Sequence, residues 1–367
     1  MEVLLMNNEL NFIIGTMGLS WLIIILAIAF TPYFIRKNIS FGISVPENEY
    51  QNPHLRALRH LYTIGCLVTG LILAAVNSAC YIWINTENII WIQLIPMFLY
   101  LVISILFYFY VRTKVKSIKR ESNWQVDSKA VAEISDKSSR NKTIHTAWYL
   151  LYLMVIAITI LAVVFKYPSL PEQIPMHYNI AGEIDRYAQK SIGTFAIMPI
   201  MQLLIGLLFV GINVAIRTSK RQRDFKKGNA FRGIVSMSLF AIGFMVMLLF
   251  TFIQLAMLTT LSEKLISVLP IAFLIATLVI CIYLAIRVGQ GGSRLKGAND
   301  NPINMVDDDS HWVGGFFYCN KNDPSIFVEK RFGIGYTLNF GNPMSIIAII
   351  AILLLIAALL ILPLIIK

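Results

Sequence analysis

Residues 146–191 read TAWYLLYLMVIAITILAVVFKYPSLPEQIPMHYNIAGEIDRYAQKS. The opening run, Thr146–Phe165, carries no charged side chain. About 20 helical residues cross the hydrocarbon of a bilayer. The rest, Pro168–Ser191, holds three prolines, a histidine, three acids and two bases. An apolar run that stops on such a segment is the pattern of a helix leaving lipid for water, since backbone polar groups in lipid must be bonded within the helix.

The pattern recurs along the chain. Of 367 residues, 57% are hydrophobic and 14% charged, against about 25% charged in soluble domains. The apolar residues gather into eight runs: Phe12–Thr31, Leu61–Ile84, Ile89–Val111, Thr146–Phe165, Thr194–Ile216, Gly233–Leu258, Leu265–Ile286 and Met344–Ile366. The expected fold is an all-α integral membrane protein of about eight transmembrane helices. A small outer loop cap and a small cytoplasmic β-rich module before the last helix complete it. A porin-like barrel would need segments of about ten residues with alternating polarity, a pattern these runs do not have. The expected organisation is a three-helix region with a basic loop (1–145), a helix pair around an outer loop (146–216, loop 166–193), and a basic loop with a helical hairpin (217–287). A cytoplasmic module (288–343) and a last helix (344–367) follow.

Charge sets the expected orientation. The net charge is +11, and 26 of the 31 Lys and Arg lie in the segments after the first, third, fifth and seventh runs. Bases mark the cytoplasmic side, so both termini are expected outside the cell membrane. The first run is preceded by Glu2 and Glu9 and no base. A cleaved signal peptide has the opposite charge order, so an uncleaved anchor is expected. Bases confined to loops between spans point to topology and anionic lipid, not to nucleic acid. The run RTKVKSIKR, Arg112–Arg120, is expected against the inner leaflet, where it could also receive a regulator.

Pro168–Ser191 then becomes the longest outer loop. Its prolines stiffen the backbone, and Ala181-Gly182-Glu183 marks a turn. Apolar and aromatic residues, among them Ile174, Tyr178, Ile184 and Tyr187, favour a folded cap over a tether. The candidate recognition residues are Pro171, Pro175, His177, Tyr178, Asn179, Gly182, Asp185, Tyr187 and Lys190. The stretch LPEQIPMHYNIAGEIDRYAQKS resembles the outer-loop domain of unknown function in the SdpI-like immunity protein family. The shared form is P-x-x-I-P-x-H-[FY]-N-x-x-G-x-[IVP]-D-x-[YW]-x-x-K, matched here by Pro171, Ile174, Pro175, His177, Tyr178, Asn179, Gly182, Asp185, Tyr187 and Lys190. The resemblance covers roughly 146–216. It implies immunity to, or sensing of, an extracellular peptide, with a cytoplasmic regulator as a further partner. This chain departs from the family's named member, which is shorter and lacks the Trp312–Pro343 segment.

That segment, within Asp307–Pro343, also resembles a small domain of unknown function near the C-terminus of such proteins. It has β-prone pieces at Trp312–Tyr318 and Ile326–Val328 around the turn Asn320–Pro324. Gly333, Gly335 and Gly341 allow sharp turns. Its candidate residues are Trp312, Tyr318, Asp323, Pro324, Lys330, Arg331, Gly333 and Gly335.

Enzyme signatures are missing: neither HExxH nor GxSxG occurs. GIGYT at 333–337 lacks the P-loop spacing. His177 with Glu183 and Asp185 falls short of a convergent metal set, and the four cysteines form no CxxC pair. No cofactor is expected. No Asp, Glu, Lys or Arg lies near a run centre, which disfavours a proton-coupled carrier. Asn77, Gln202, Asn213 and Gln254 read as interhelical hydrogen-bonding residues. The expected function is a non-enzymatic membrane protein for peptide immunity or sensing. The alternatives are a transporter or export component, and a membrane scaffold that binds a cytoplasmic regulator. Neighbouring genes for a small secreted peptide or a repressor would favour the first.

Overall fold

The computed structural model describes residues 2–83, 89–124, 142–178, 184–218, 225–259, 261, 263–295, 307–333 and 335–365. The described residues form eight long helices: α1 (Glu2–Phe34), α2 (Pro53–Trp83), α3 (Ile89–Glu121), α4 (Leu150–Lys166), α5 (Ile192–Thr218), α6 (Phe225–Leu258), α7 (Glu263–Tyr283) and α8 (Pro343–Ile365). Among the described residues, the six helical segments built on α2 to α7 are long and apolar enough to cross a membrane. α1 and α8 contain shorter apolar stretches, Gly18–Phe34 and Pro343–Ala358. The chain is a multi-pass membrane protein.

Several helices overrun the apolar runs that seed them. α2 begins eight residues before Leu61, and α3 continues ten residues past Val111 into the basic stretch. Once a helix is nucleated, each added residue gains a hydrogen bond, so the end falls where a cap stops it and not where lipid ends. Asn-Pro starts two of them. Asn52 accepts from the His54 amide at 3.0 Å, and Asn342 from the Met344 amide at 2.9 Å. In each case Pro occupies the first helical position, where a missing N–H costs nothing.

The chain divides into two compact units. The first comprises Met1–Ile134, Gly289–Cys319 and Glu329–Thr337, and the second Ser135–Val288, Asn320–Val328 and Leu338–Lys367. Segment 288–343 therefore contributes to both.

In the first unit, α1, α2 and α3 pack together. Close approach depends on Gly70, where a Cβ would lie 2.6 Å from the Ile25 side chain, and on Gly65, where it would lie 2.1 Å from Phe107. Such small residues let membrane helices meet. The Asn77 and Gln93 amides meet at 2.9 Å, and Gln93 reaches Ser20 Oγ at 3.3 Å, so one polar chain touches all three helices. Between α1 and α2, strands β1 (Ile39–Ser40) and β2 (Ile43–Ser44) form a hairpin. Its two-residue turn, Phe41-Gly42, has φ of 46° and 73°, the left-handed pair of a primed turn.

In the second unit, α4, α5 and α6 share a polar seam. Gln202, fully buried, donates to Met247 O at 2.9 Å and Thr251 Oγ1 at 3.0 Å, and its amide nitrogen lies 3.3 Å from Thr159 Oγ1. Nearer one end, Asn213 Nδ2 donates to Ile144 O at 3.2 Å, and Ser236 Oγ donates to Asn213 Oδ1 at 2.5 Å. These two amides bridge helices as expected. Gln254 contacts Met257 Sδ in its own helix at 3.8 Å. Tyr152 completes the seam, donating to Phe240 O at 2.7 Å.

Candidate functional site

Two constructions stand out at the helix ends, one in each unit. In the second unit, β3 (Gln173–Tyr178) pairs antiparallel with β4 (Ile184–Gln189). The pairs are Gln173 with Gln189, Ile174 with Ala188, Pro175 with Tyr187, His177 with Arg186, and Tyr178 with Ile184. The register slips after Pro175 and again after His177, as suits a proline that cannot donate to the ladder.

Alternation gives the hairpin two faces. Ile174 is fully buried against Phe195, Met257 and Leu258, at the ends of α5 and α6. Across the pleat, Tyr187 is 53% exposed, and Ile184 is exposed as well. The neck is closed by Lys190. Its amide donates to Glu172 O at 2.8 Å and its ammonium to Leu170 O at 2.9 Å, while the ammonium sits 4.9 Å over the Tyr167 ring. Thr194 Oγ1 donates to Gln189 O at 2.9 Å, and Ser191 caps α5 through the Thr194 amide at 3.1 Å.

The structure therefore sorts the loop candidates. Pro175 and Tyr187 share a cross-strand pair, and Lys190 is a structural staple. His177, Tyr178 and Asp185 are described by their backbone alone. Asn179, Gly182 and the turn Ala181-Gly182-Glu183 lie outside the described residues. Pro171 is exposed just before β3.

In the first unit, a second hairpin, β5 (Trp312–Val313) and β6 (Phe317–Tyr318), folds back at Gly314 and Gly315, with φ of 63° and 80°. Thus Trp312–Tyr318, one β-prone piece in the sequence, is a hairpin by itself. Its tip meets the tip of the β1–β2 hairpin. A Cβ on Gly42 would lie 2.8 Å from the Gly315 Cα, and a Cβ on Gly315 would lie 2.4 Å from the Tyr108 hydroxyl. Tyr108 Oη lies 3.0 Å from Phe41 O and 3.1 Å from Gly314 O, and Arg112 also donates to Phe41 O at 3.0 Å. The rings of Phe41, Phe316 and Phe332 surround Tyr108 at centroid distances of 6.0, 4.4 and 4.5 Å.

Arg331 locks this arrangement. Its residue is 3% exposed. The guanidinium donates to Gly42 O at 3.0 Å and Ser44 Oγ at 3.0 Å, and it pairs with Asp308 and Asp309. It lies 5.3 Å from the centre of the Trp312 ring. Lys119 bridges Asp307 and Asp309, each at 2.7 Å, and the Ser44 amide donates to Asp309 at 3.0 Å. Burial alone would raise the Asp309 pKa. The Arg331 charge and the hydrogen bonds from Lys119, Arg331 and Ser44 outweigh it and hold the carboxyl at about 2. Alongside, Gln290, fully buried, donates to Lys330 O and accepts from the Arg36 amide at 3.0 Å. Arg36 pairs with Glu329 at 3.2 Å.

The eight candidates of the C-terminal segment do not gather in one unit. Trp312, Tyr318, Lys330, Arg331, Gly333 and Gly335 belong to the first, Asp323 and Pro324 to the second. Gly333 and Gly335 have φ of 85° and 110°, and Gly335 O accepts from the Lys330 amide at 3.0 Å. Strand β7 (Phe327–Glu329) pairs with β8 (Tyr336–Leu338) around this turn. Asp323 caps its own turn through the Ser325 amide at 3.0 Å. Pro324 O accepts from Asn342 at 2.8 Å, and Asn339, fully buried, bonds Asn320 and Asp323 carbonyls, both at 2.9 Å. Sequence reading singled out neither Asn339, nor Gln290, nor the Asp307–Asp309 triplet. The triplet was the legible signal: three adjacent acids in a basic chain call for buried bases.

Comparison with protein families returns two partial matches. Residues 154–203, which span most of α4, the β3–β4 hairpin and the start of α5, match a domain of unknown function (DUF1648). Residues 321–346 match a family of unknown function (DUF5808). No curated protein and no solved structure matches the chain.

Proposed function

We propose that this multi-pass membrane protein receives an extracellular peptide at the β3–β4 hairpin, in the manner of the SdpI-like immunity and sensing proteins it resembles, and does so without catalysis. The observation that carries the reading is the two-faced hairpin. One face is sunk into the helix ends by Ile174, Tyr187 stands in the open across the pleat, and Ile184 is exposed as well. Anchored strands with exposed aromatic groups suit peptide capture, because aromatics dominate binding hot spots and a preordered site loses little entropy on binding. The match to DUF1648 over this hairpin supports the same reading.

The proposed topology has eight crossings, with the hairpin and both termini outside and the Arg331 cluster in the cytoplasm. It is supported by the gathering of Arg36, Lys119 and Arg331, all from segments rich in bases, at one end of the first unit. The cytoplasmic residues would then pass the peptide's arrival to a regulator.

The test is a deletion strain challenged with peptides secreted by its own species and complemented with the parent or Tyr187→Ala, with protein abundance measured by blot. The reading expects a sensitive deletion strain, rescue by the parent, and failed rescue by Tyr187→Ala at normal abundance. A deletion strain as resistant as the parent to every such peptide, with no reporter response, would replace it with the scaffold reading.

A further inference from the structure

We infer that the β5–β6 hairpin is a membrane-interface wedge: its outer face, Val313 and Phe317, lies in the bilayer at the basic end of the α1–α3 unit. The two residues form a cross-strand pair, and they are 62% and 53% exposed. The opposite face, Trp312 and Tyr318, is buried.

Depth is set by what the hairpin tip touches. A Cβ on Gly314 would lie 3.0 Å from the Phe109 ring, and the Phe109 and Phe316 rings are 6.1 Å apart. Phe109 belongs to the membrane-spanning part of α3, three residues before the first base, Arg112. With Ile105 and Leu106 it forms the exposed apolar flank of that helix, the surface that faces acyl chains. The hairpin thus continues an existing lipid-facing belt just above its edge.

Composition agrees. Residues 310–319, SHWVGGFFYC, contain no Asp, Glu, Lys or Arg and four aromatics. Exposed apolar side chains such as Phe bury at the boundary of headgroups and acyl chains. A lone acidic triplet beside an anionic surface would be repelled. Here each of Asp307, Asp308 and Asp309 is paired with Lys119 or Arg331 within the protein, which offsets two of the three negative charges and weakens that repulsion. The inference needs the membrane and not the peptide: it holds whichever face is cytoplasmic.

The test uses the full chain in lipid nanodiscs, with its four cysteines replaced and one spin-labelled cysteine introduced at a time: Val313→Cys, Phe317→Cys, Leu106→Cys and Lys330→Cys. Collisions with oxygen, which concentrates in acyl chains, are compared with those of a water-soluble nickel chelate. Sites 313 and 317 are both exposed and are labelled one at a time, so each is read without a label on its neighbour. The expected ratio of oxygen to nickel accessibility at 313 and 317 follows that at 106. A ratio at both sites like that at 330 would overturn the inference and return the hairpin to water.

Discussion

The hydroxyl of Tyr108, on a membrane helix, lies 3.0 Å from the carbonyl oxygen of Phe41, at the tip of a hairpin 67 residues earlier. The same hydroxyl lies 3.1 Å from Gly314 O, so one phenol on α3, with a single hydrogen to donate, sits between the tips of two hairpins. Tyr108→Phe keeps the ring packing and removes the hydroxyl. It should cost about 0.5–1.5 kcal/mol, the net worth of one hydrogen bond, because Phe41 O keeps Arg112 as a donor. Gly315→Ala should cost more, since its Cβ meets the hydroxyl and φ is 80°. Thermal unfolding in detergent, followed by size-exclusion chromatography, ranks the two.

Arg331 should behave as a keystone. Arg331→Met takes the guanidinium from Asp308 and Asp309 and leaves Asp309 with Lys119 as a close base, at a cost of about 3 kcal/mol. Arg331→Lys should recover only part of it, because a single ammonium cannot reproduce the guanidinium fork.

Acid should release the same cluster. Asp309 titrates near 2 when folded, below its ordinary 3.8. Its stabilising contribution is full above about pH 4 and is lost as pH falls toward 2. Unfolding midpoints measured from pH 6 to 2 should drop steeply over the last two units, and less steeply in Arg331→Met. An equal slope in both proteins would separate Asp309 from Arg331.

The membrane helices were legible because hydrocarbon imposes one rule on a contiguous stretch, and runs such as Thr146–Phe165 state it openly. The β3–β4 hairpin was half legible: prolines and alternating apolar residues announced a folded cap, but its buried face appears only once Ile174 meets Met257. The Arg331 cluster was not legible as a unit. Arg331 was a candidate, yet its partners lie at Gly42, Ser44, Lys119 and Asp308–Asp309, and no local period joins them. Phe41 in a left-handed turn defies propensity and is held there by Tyr108. Gln93 pairs with Asn77 between helices, but a single amide near the start of a run carries no local sign of its partner.

The interhelical seam of the second unit should be tolerant at its polar centre and rigid at its glycine. Gln202→Leu should destabilise by about 1 kcal/mol, the scale of interhelical hydrogen bonds in membranes. Gly243→Leu should be far worse, because a Cβ there would lie 2.2 Å from the Tyr152 hydroxyl. Purified yield and thermal midpoint distinguish them.

In the hairpin, fold and recognition should separate by face. Ile174→Ala removes a fully buried side chain and should cost about 2–5 kcal/mol, seen as faster proteolysis between Leu170 and Ser191. Tyr187→Ala should leave proteolysis unchanged.

The most direct measurement is cysteine labelling in intact cells by a membrane-impermeant maleimide, in a background without the native cysteines. Single cysteines at Tyr187 and Lys330, both exposed positions, mark the two constructions. The account predicts labelling at 187 in intact cells and at 330 only after permeabilisation. Labelling at 330 in intact cells with 187 protected would contradict it, placing the hairpin in the cytoplasm, where no extracellular peptide could reach it.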